Sequence, residues 1–393
     1  MRTSNAAAGK AGRAEAGNGV RIKAIEAIAV SLPMHKPVQM AGETVARADN
    51  VLLRVESDDG VVGWGEAASA PAMTGETVAS MMAAVDHLTP ALRDRAAEDF
   101  AGAAAAMDAA MYGNSAAKAA IDIALHDLVG RATGRPIHAL FGARRRNRIA
   151  VLAVIGSEDT AADLREAQAR FAAGYRAFKI KVGLGAPEAD AERTRTICLA
   201  LKRHGEDCLV SADANQGFGA DEALRYAAVV ADCGLDFFEQ PVAAHDLAGM
   251  ARVAAASRVP IGADEGIHSR DDIAHHHERD AAKGVSLKAI KLGGLGALLE
   301  ASRLCDRLGM QVNISCKTGE SSIASAAALH VAAVAPAIAW GLTVTNPGLA
   351  EDIAVEPLRV EHGHVEVPDR PGLGIEVDER RVRRGAQDFK RVA

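Results

Sequence analysis

The sequence has no long apolar run, no paired cysteines and no excess of positive charge. No run reaches the roughly 18 apolar residues that a transmembrane helix needs, and the N-terminus lacks the apolar stretch of a secretory signal. The five cysteines are scattered over 393 residues without the close spacing of a zinc site, so we expect reduced thiols and a cytoplasmic protein. A net charge of −6 gives no general attraction to nucleic acid or to an anionic membrane. We therefore expect small-molecule partners, and neither nucleic acid nor membrane.

Length and turn signals divide the chain into two units. A chain of 393 residues suits a barrel of about 250 residues plus a second domain. Residues 1–19 are rich in Ala and Gly, and we interpret them as a disordered extension. Residues 20–145 contain an alternating apolar pattern around Asp59-Gly60, typical of a β-hairpin, and then an apolar helical stripe at residues 117–128. This segment predicts an α+β domain.

After residue 145 the sequence alternates regularly between strand and helix patterns. Several helical segments end at a glycine, which suits the left-handed C-cap position. Eight repeats predict a closed barrel of parallel strands over residues 146–350. The strand candidates are residues 149–154, 177–182, 208–212, 235–238, 259–263, 285–290, 310–315 and 337–342. Residues 351–393 alternate like strand, and we expect them to return to the N-terminal domain.

Five of these strand candidates end in an acidic residue or a lysine. They carry, in order, Lys179, Asp213, Glu239, Asp264 and Lys288. The C-terminal ends of barrel strands meet at one mouth, so we expect these side chains to face one another there. Such a cluster predicts a divalent metal site with acid/base catalysts on either side.

The lysines are the candidate acid/base groups. Lys179 and Lys181 lie two residues apart and point to the same side of a strand, which we take to be the inner side. Repulsion between two ammonium groups, together with burial, lowers lysine pKa towards the neutral base form. Alternatively, both lysines extend to solvent from an edge strand. Lys288 lies across the barrel, so that a bound carbon acid would have a lysine on each side.

Three carboxylates, Asp213, Glu239 and Asp264, are the candidate metal ligands. Single oxygens from three successive strands would leave open positions for water and substrate, which suits Mg²⁺. Any one of the three could be a helix N-cap, but all three at strand ends favour a metal site.

Further polar residues follow the same strand ends. Asn215 and Glu265 are expected to support the metal ligands, and Asn215 also to contact substrate. Lys317 and Glu320 are candidates for binding or polarising the substrate. Lys291 is interpreted as a loop residue.

As an ordered set, these motifs resemble the muconate lactonizing enzyme (muconate cycloisomerase-like) subgroup of the enolase superfamily. The likeness covers about residues 20–380 and rests on K-I-K, D-A-N, E-Q-P, A-D-E and L-K-A-I-K-L-G-G-L, with A-K-A-A-I-D-I-A-L-H-D-L in the first domain. It implies an α/β fold, a modified (β/α)7β TIM-type barrel with an N-terminal α+β capping domain. It also implies Mg²⁺, with Mn²⁺ able to replace it, on the three carboxylates. Lys181 and Lys288 would be the opposed acid/base pair, with Lys179 tuning Lys181.

The resemblance implies abstraction of the proton α to a carboxylate, giving an enolate. We expect an isomerase, whether racemase, epimerase or cycloisomerase, that acts on a small carboxylic acid as a homo-oligomer. The alternative is a lyase that dehydrates a hydroxy acid such as a hydroxyproline. More remote alternatives are a Schiff-base aldolase, which needs only one lysine of lowered pKa, and a non-catalytic binding barrel.

Substrate preference is less constrained by the sequence. In dipeptide epimerases of this subgroup an Asp-x-Asp at the eighth strand holds the substrate ammonium, whereas this chain has Gly341-Leu342-Thr343 there. A dipeptide substrate is therefore disfavoured. The resemblance places selectivity in two loops of the capping domain, residues 33–44 and 68–76.

Overall fold

A three-stranded antiparallel sheet opens the described part of the chain. The structure is a computed structural model and describes residues 19–41, 43–203 and 207–392, so the predicted extension lies, apart from Gly19, outside the described residues. The strands, paired in the order β1-β2-β3, are β1 (Ile22–Met40), β2 (Glu43–Ser57) and β3 (Val62–Ala68). Gly60 has a φ of +84° in the turn between β2 and β3, which confirms the predicted hairpin.

Four helices follow this sheet, and the longest of them joins the sheet to the rest of the molecule. They are α1 (Val78–Leu92), α2 (Phe100–Ala110), α3 (Ser115–Thr133) and α4 (Ile137–Phe141). Helix α3 is buried on every side along residues 116–130 because it lies beneath β3. A Cβ added at Gly65 of β3 would lie 1.9 Å from the carbonyl oxygen of Ala120, so only glycine permits this approach.

Eight parallel strands form the second unit, and the predicted fold class is confirmed. Their order is sequential from β5 to β12, and a parallel bridge between Val151 and Leu342 closes the ring. The strands are β5 (Leu152–Ile155), β6 (Ala177–Lys181), β7 (Leu209–Asp213), β8 (Phe237–Glu239), β9 (Ile261–Ala263), β10 (Gly284–Leu287), β11 (Gln311–Ser315) and β12 (Leu342–Thr343).

Helices cover the outside of this barrel. Those between β5 and β12 are α5 (Thr160–Ala172), α6 (Pro187–Lys202), α7 (Ala220–Val230), α8 (Leu247–Ala256), α9 (Arg270–Glu278), α10 (Ala289–Leu292), α11 (Leu295–Leu308) and α12 (Ser322–Val334). A 3-10 turn, Asn346–Gly348, follows β12 in place of a barrel helix, which gives the (β/α)7β arrangement. No helix in the described ranges is long and apolar enough to cross a bilayer.

The first and last strand candidates differ from the structure in extent. Residues 149–154 were expected to form one strand, but they divide: β4 (Arg148–Ala150) pairs antiparallel with β13 (His364–Glu366) outside the barrel. The barrel strand begins only at Leu152, because the tail competes for pairing with the residues before it. At the other end, β12 shares only Leu342 with the predicted range.

One end of the barrel is filled and the other is left open. The indole of Trp340 stacks on Phe237 with ring centroids 4.0 Å apart, in a small apolar cluster with Leu152 and Ala177. A Cβ at Gly284 would lie 2.5 Å from the indole, so glycine makes room for this plug. The plug lies at the start of the strands, and polar chemistry is therefore confined to the ends where the strands stop.

Helix caps connect the first unit to the barrel. Asp122 of α3 accepts a hydrogen bond from the backbone N–H of Leu295, at the start of α11 (2.6 Å). Glu66 of β3 accepts from the N–H and hydroxyl of Ser321, the N-cap of α12. The last helix, α13 (Glu379–Val392), packs on β1. One hydrophobic core runs through both units, and the domain boundaries at residues 145 and 350 stay a prediction.

Candidate active site

The predicted site residues meet at the open end of the barrel. Strand register places Lys181 beside Asp213 and Asp213 beside Glu239, at the last positions of β6, β7 and β8. Asp264 directly follows β9, and Lys288 directly follows β10. Five neighbouring strands therefore each deliver at least one charged side chain to the same mouth.

Lys179 is buried and forms ion pairs with two carboxylates. Its Nζ is 2.6 Å from Oε2 of Glu239 and 3.9 Å from Oδ2 of Asp213. Burial disfavours the ammonium, but these two carboxylates and Asp264 outweigh it and raise the pKa of Lys179. For Lys179 the expected lowering of the pKa is wrong. The nearby carboxylates stabilise its ammonium group more than burial and the neighbouring lysine destabilise it.

Lys181 is held by a carboxylate and an amide. Its Nζ donates to Oδ2 of Asp213 at 2.7 Å and to Oδ1 of Asn215 at 2.6 Å. Burial opposes ionisation of Asp213, yet Lys181 and Lys179 hold its pKa below the usual range. Asn215 adopts a φ of +42° just beyond β7, which aims its side chain back at Lys181.

Two lysines share Asp264. Lys288 donates to both of its carboxylate oxygens, and Lys291 donates to Oδ1 at 2.6 Å. Lysine charge holds the pKa of Asp264 well below its usual range although burial opposes this. The interpretation of Lys291 as a loop residue is wrong: it lies on α10, is 1% exposed and also donates to the carbonyl of Ser286 (3.0 Å).

Glu265, which the sequence predicted only as a support for the metal ligands, is hydrogen-bonded within the site. Oε1 accepts from Nδ2 of Asn215 at 2.9 Å, which links it through that amide to Lys181. Burial, with the negative charges of Asp264 and Asp213, raises the pKa of Glu265 to about 7. An acidic residue directly after a proposed ligand, whose partner is a side-chain amide two strands away, carries no sequence signal stronger than its position.

The three carboxylates suit a hard divalent cation in type and burial. Asp213, Glu239 and Asp264 are each at most 2% exposed, and burial raises the pKa of Glu239 even though Lys179 opposes this. Ser286 donates to Oε1 of Glu239 at 3.0 Å, whereas Oε2 makes no hydrogen bond despite its ion pair with Lys179. In the described ranges no three His, Cys, Asp or Glu side chains form a complete metal cluster. Lysine ammonium groups are the counter-ions in this structure, and the oxygen donors fit Mg²⁺.

A cavity of about 420 Å³ lies over these residues, between the barrel mouth and the first unit. Its floor contains Lys179, Lys181, Asp213, Asp264 and Lys288. The cover comes from the two segments that the sequence assigned to selectivity, although residues 33–44 form the end of the β1–β2 hairpin and not a loop. It includes Met34, His35, Lys36, Val38, Met40, Glu43 and Met73. The cavity is large enough for a small organic acid and has both charged and apolar walls.

Of the two remaining candidates for substrate contact, Lys317 lines the cavity and Glu320 does not. Lys317 lines the cavity, and its Nζ is 3.0 Å from Oε2 of Glu43. Glu320 is not part of the cavity wall; it accepts a hydrogen bond from the backbone N–H of Lys317 at 2.8 Å. Burial, with the charge of Glu66, raises the pKa of Glu320 to about 8. Glu320 thus supports the turn that presents Lys317.

Two family models match this chain over most of its length. Residues 24–142 match the N-terminal domain of mandelate racemase and muconate lactonizing enzyme, and residues 162–381 match the enolase C-terminal domain-like family. Similar proteins include a chloromuconate cycloisomerase of Cupriavidus necator, 32% identical over 93% of this chain and 98% of that protein. An N-succinyl-L-Arg/Lys racemase of Bacillus cereus is 30% identical over 92% of this chain and 96% of that protein.

Comparison with solved structures supports the same family. The muconate lactonizing enzyme of Pseudomonas fluorescens, complexed with muconolactone, superimposes with a TM-score of 0.88 and 31% identity. The match covers 94% of this chain and 100% of that one. The likeness therefore extends over both structural units and the cavity between them.

Proposed function

The chain belongs to the muconate lactonizing enzyme-like subgroup of the enolase superfamily, and on that premise we propose that it removes the proton α to the carboxylate of a small acid with the help of Mg²⁺. The chain is an enzyme, and the relatives named above are isomerases. One observation carries the proposal: lysines from opposite sides of one barrel mouth flank three buried carboxylates beneath a cavity.

Lys181 and Lys288 would exchange protons with the substrate. Each reaches the cavity from its own side of the barrel, so each would address one face of a bound α-carbon. The neutral amine accepts the proton, and the ammonium returns one to the resulting planar carbon. The carboxylate neighbours of Lys179 raise its pKa against the effect of burial, so Lys179 stays positively charged beside the reacting groups.

Asp213, Glu239 and Asp264 would hold the metal. Enzymes of this family are generally metal-dependent. A bound Mg²⁺ supplies positive charge where the substrate carboxylate becomes more negative as the α-proton leaves. Ser286 fixes Glu239 through its Oε1, and Gln240 fixes the backbone of Asp264 by accepting its N–H at 2.8 Å, so two of the proposed ligands are oriented by neighbours.

Isomerisation is favoured over dehydration as the outcome. The relatives include a cycloisomerase and a racemase. Racemisation needs a lysine on each face of the α-carbon, whereas cycloisomerisation needs one lysine as the base and can use the other to stabilise charge. We propose a racemisation, epimerisation or cycloisomerisation of a small carboxylate in a homo-oligomeric enzyme.

α-Proton exchange tests this proposal without knowledge of the true substrate. A library of small carboxylates would be incubated in D₂O with the enzyme and Mg²⁺, and the α-proton signals followed by NMR. We expect loss of the α-proton signal for at least one class of acid, and no loss with a Lys181→Ala/Lys288→Ala double variant. Exchange that continues undiminished in the double variant would contradict the assignment.

A further inference from the structure

Arg193 of α6 is a buried cation that lies behind the barrel mouth and not in the cavity wall. Its side chain is 3% exposed. One terminal nitrogen donates to Oδ2 of Asp163 on α5 at 2.5 Å. The other donates to Oδ1 of Asp190 at 2.8 Å and to the carbonyl oxygen of Lys181 at 2.7 Å. The guanidinium therefore connects two buried carboxylates with the backbone of a proposed proton-transfer residue.

Asp190 extends this contact to the chain that leaves β6. Its second oxygen, Oδ2, accepts from the backbone N–H of Gly183 at 2.8 Å. Gly183 has a φ of +92°, and a Cβ there would lie 2.6 Å from the carbonyl oxygen of Ala214, so only glycine permits this turn. The chain is thus held at the carbonyl of Lys181 and again two residues later.

Asp163 holds the neighbouring loop against the same lysine. Its Oδ1 accepts from the N–H of Ser157 at 2.8 Å and from the hydroxyl of that residue at 2.6 Å, just after the end of β5. A Cβ at Gly156 would lie 2.8 Å from Cβ of Lys181. The loop that Asp163 fixes therefore contacts the base of the Lys181 side chain.

Stability alone does not account for three buried charges at this position. The cost of desolvating a buried ion pair offsets much of its attraction, and apolar side chains of similar volume are often as stabilising. An arginine fork, by contrast, holds several acceptors in one fixed geometry. Burial disfavours the guanidinium, but hydrogen bonds from Asp190 and Asp163 outweigh it and raise the pKa of Arg193. Arg193 therefore remains a charged donor.

Lys288, on the other side of the mouth, is held in a different way. Its carbonyl accepts from the backbone N–H groups of Lys291 and Leu292, at 3.2 and 3.3 Å, in the turn that begins α10. The backbone of Lys288 is thus fixed by its own local chain, whereas that of Lys181 is fixed by a side chain from the following helix. A change at Arg193 should reach one lysine and not the other.

We propose that Arg193 is a positioning residue for Lys181: it fixes the end of β6 so that the lysine side chain is directed at the substrate. The inference rests on the proposed function, in which Lys181 and Lys288 transfer protons on opposite faces of the α-carbon. It makes the half-reaction of Lys181 depend on α5 and α6, outside the barrel mouth, and leaves the half-reaction of Lys288 independent of them.

Arg193→Lys tests the inference. The variant keeps the positive charge between Asp163 and Asp190, but an ammonium lacks the fork that reaches three acceptors at once. We expect the α-proton exchange that is lost in Lys181→Ala to slow by about tenfold or more, because small misplacements of a reacting group are costly. The exchange that is lost in Lys288→Ala should stay within about twofold of the wild-type rate. Both are measured as deuterium incorporation in D₂O from each stereoisomer.

Hydrogen exchange of the backbone provides a second readout that needs no substrate. In Arg193→Lys, amides in the peptide spanning residues 178–184 should exchange at least about threefold faster than in the wild type, because the end of β6 opens more often. The peptide spanning residues 285–292, around Lys288, should be unchanged. Mass spectrometry of peptic fragments measures both.

Arg146→Lys is the matched control for loss of an arginine fork. Arg146 is half-buried and donates to the carbonyls of Ala332, Ala335 and Pro336 at the end of α12. Its replacement should lower the melting temperature without changing the ratio of the two exchange reactions. A general loss of stability would therefore appear in this control, whereas a loss confined to the Lys181 reaction would not.

The outcomes separate the inference from the proposed function. Arg193→Lys that slows both exchange reactions equally, or neither, would overturn the inference, and so would unchanged hydrogen exchange in residues 178–184. Wild-type enzyme that exchanges no α-proton from any acid would instead refute the proposed function. Hydrogen exchange would still show in that case whether Arg193 holds the end of β6.

Discussion

Lys181 and Lys288 stand on opposite sides of the barrel. They end β6 and follow β10, which are four steps apart in a closed ring of eight strands. The three proposed metal ligands come from the strands between them. A substrate held over those carboxylates would therefore have one lysine on each face of its α-carbon, and no single lysine could serve both faces.

Single replacements of these lysines should separate the two faces of the reaction. For a substrate that is racemised or epimerised, Lys181→Ala should block α-deuterium incorporation from one stereoisomer and Lys288→Ala from the other, by about 100-fold or more. The measurement is exchange in D₂O from each pure stereoisomer. For a cycloisomerised substrate one lysine would be the essential base, and the other would mainly stabilise charge.

Lys283→Ala provides the matched control. Lys283 also lies at the barrel, but its side chain is 59% exposed and pairs with Asp280 on the surface. This variant should exchange both stereoisomers as the wild-type enzyme does. Wild-type exchange of both stereoisomers by Lys181→Ala and Lys288→Ala would place the base elsewhere at the barrel mouth.

Glu239→Gln should abolish both metal binding and turnover while leaving the fold intact. The amide lacks the negative charge that a divalent cation requires from this ligand. Mg²⁺ should raise the melting temperature of the wild-type enzyme, because an ion that binds only the folded state stabilises it by mass action. The variant should show no such increase, and neither protein should exchange α-protons in excess EDTA.

Glu239→Asp distinguishes loss of charge from disturbance of the site. It keeps the carboxylate on a shorter chain, so we expect weaker but measurable stabilisation by Mg²⁺. If full activity persisted in excess EDTA and elemental analysis found no bound metal, the three carboxylates would need another role.

Much of this site could be predicted because the residues at the ends of successive barrel strands lie close together, at regular intervals in the sequence. Asp213, Glu239 and Asp264 each follow a short apolar run, and parallel strands bring such positions to one mouth whatever lies between them. The same rule placed Lys181 and Lys288 at opposite sides from the strand count alone.

Other features depend on contacts that no local pattern encodes. Lys291 enters the site because the chain turns into a short helix directly after Lys288. The pair of Lys317 and Glu43 joins positions far apart in the sequence. The predicted direction of the pKa shift of Lys179 was wrong because the sequence shows its neighbour Lys181 but not its contact with Glu239. That contact forms only when β6 and β8 lie two positions apart in the barrel.

Two glycines should respond oppositely to alanine. A Cβ at Gly65 would meet the backbone of α3 at Ala120, whereas nothing lies within 4 Å of a Cβ at Gly296, which is in helix α11. Gly65→Ala should lower the free energy of unfolding by about 2 kcal/mol or more, because the sheet and α3 must move apart. Gly296→Ala should raise it by about 0.5–1 kcal/mol through helix propensity. Urea unfolding measures both, and a neutral Gly65→Ala would contradict the close packing.

Two buried acids face each other where the first unit meets the barrel. Glu66 accepts hydrogen bonds from Asn50, Ser321 and the N–H of Ala324, and burial raises its pKa to about 7. Burial and the charge of Glu66 together raise the pKa of Glu320 to about 8. Ionising both would put two like charges into one dry interface.

The stability of the protein should therefore fall as pH rises, and Glu320→Gln should weaken this dependence. The pKa of Glu320 is higher in the folded protein than its ordinary value, so its stabilising contribution is complete below about pH 4.5 and is lost as pH rises through about 8. The glutamine stays neutral throughout and can still accept the N–H of Lys317. Melting temperatures between about pH 5.5 and 8.5 should decline more steeply for the wild type than for the variant. Glu278→Gln, at an exposed position, should follow the wild-type curve. If Glu320→Gln followed that curve as well, Glu320 would be ionised at neutral pH and the neutral-acid interface would be wrong.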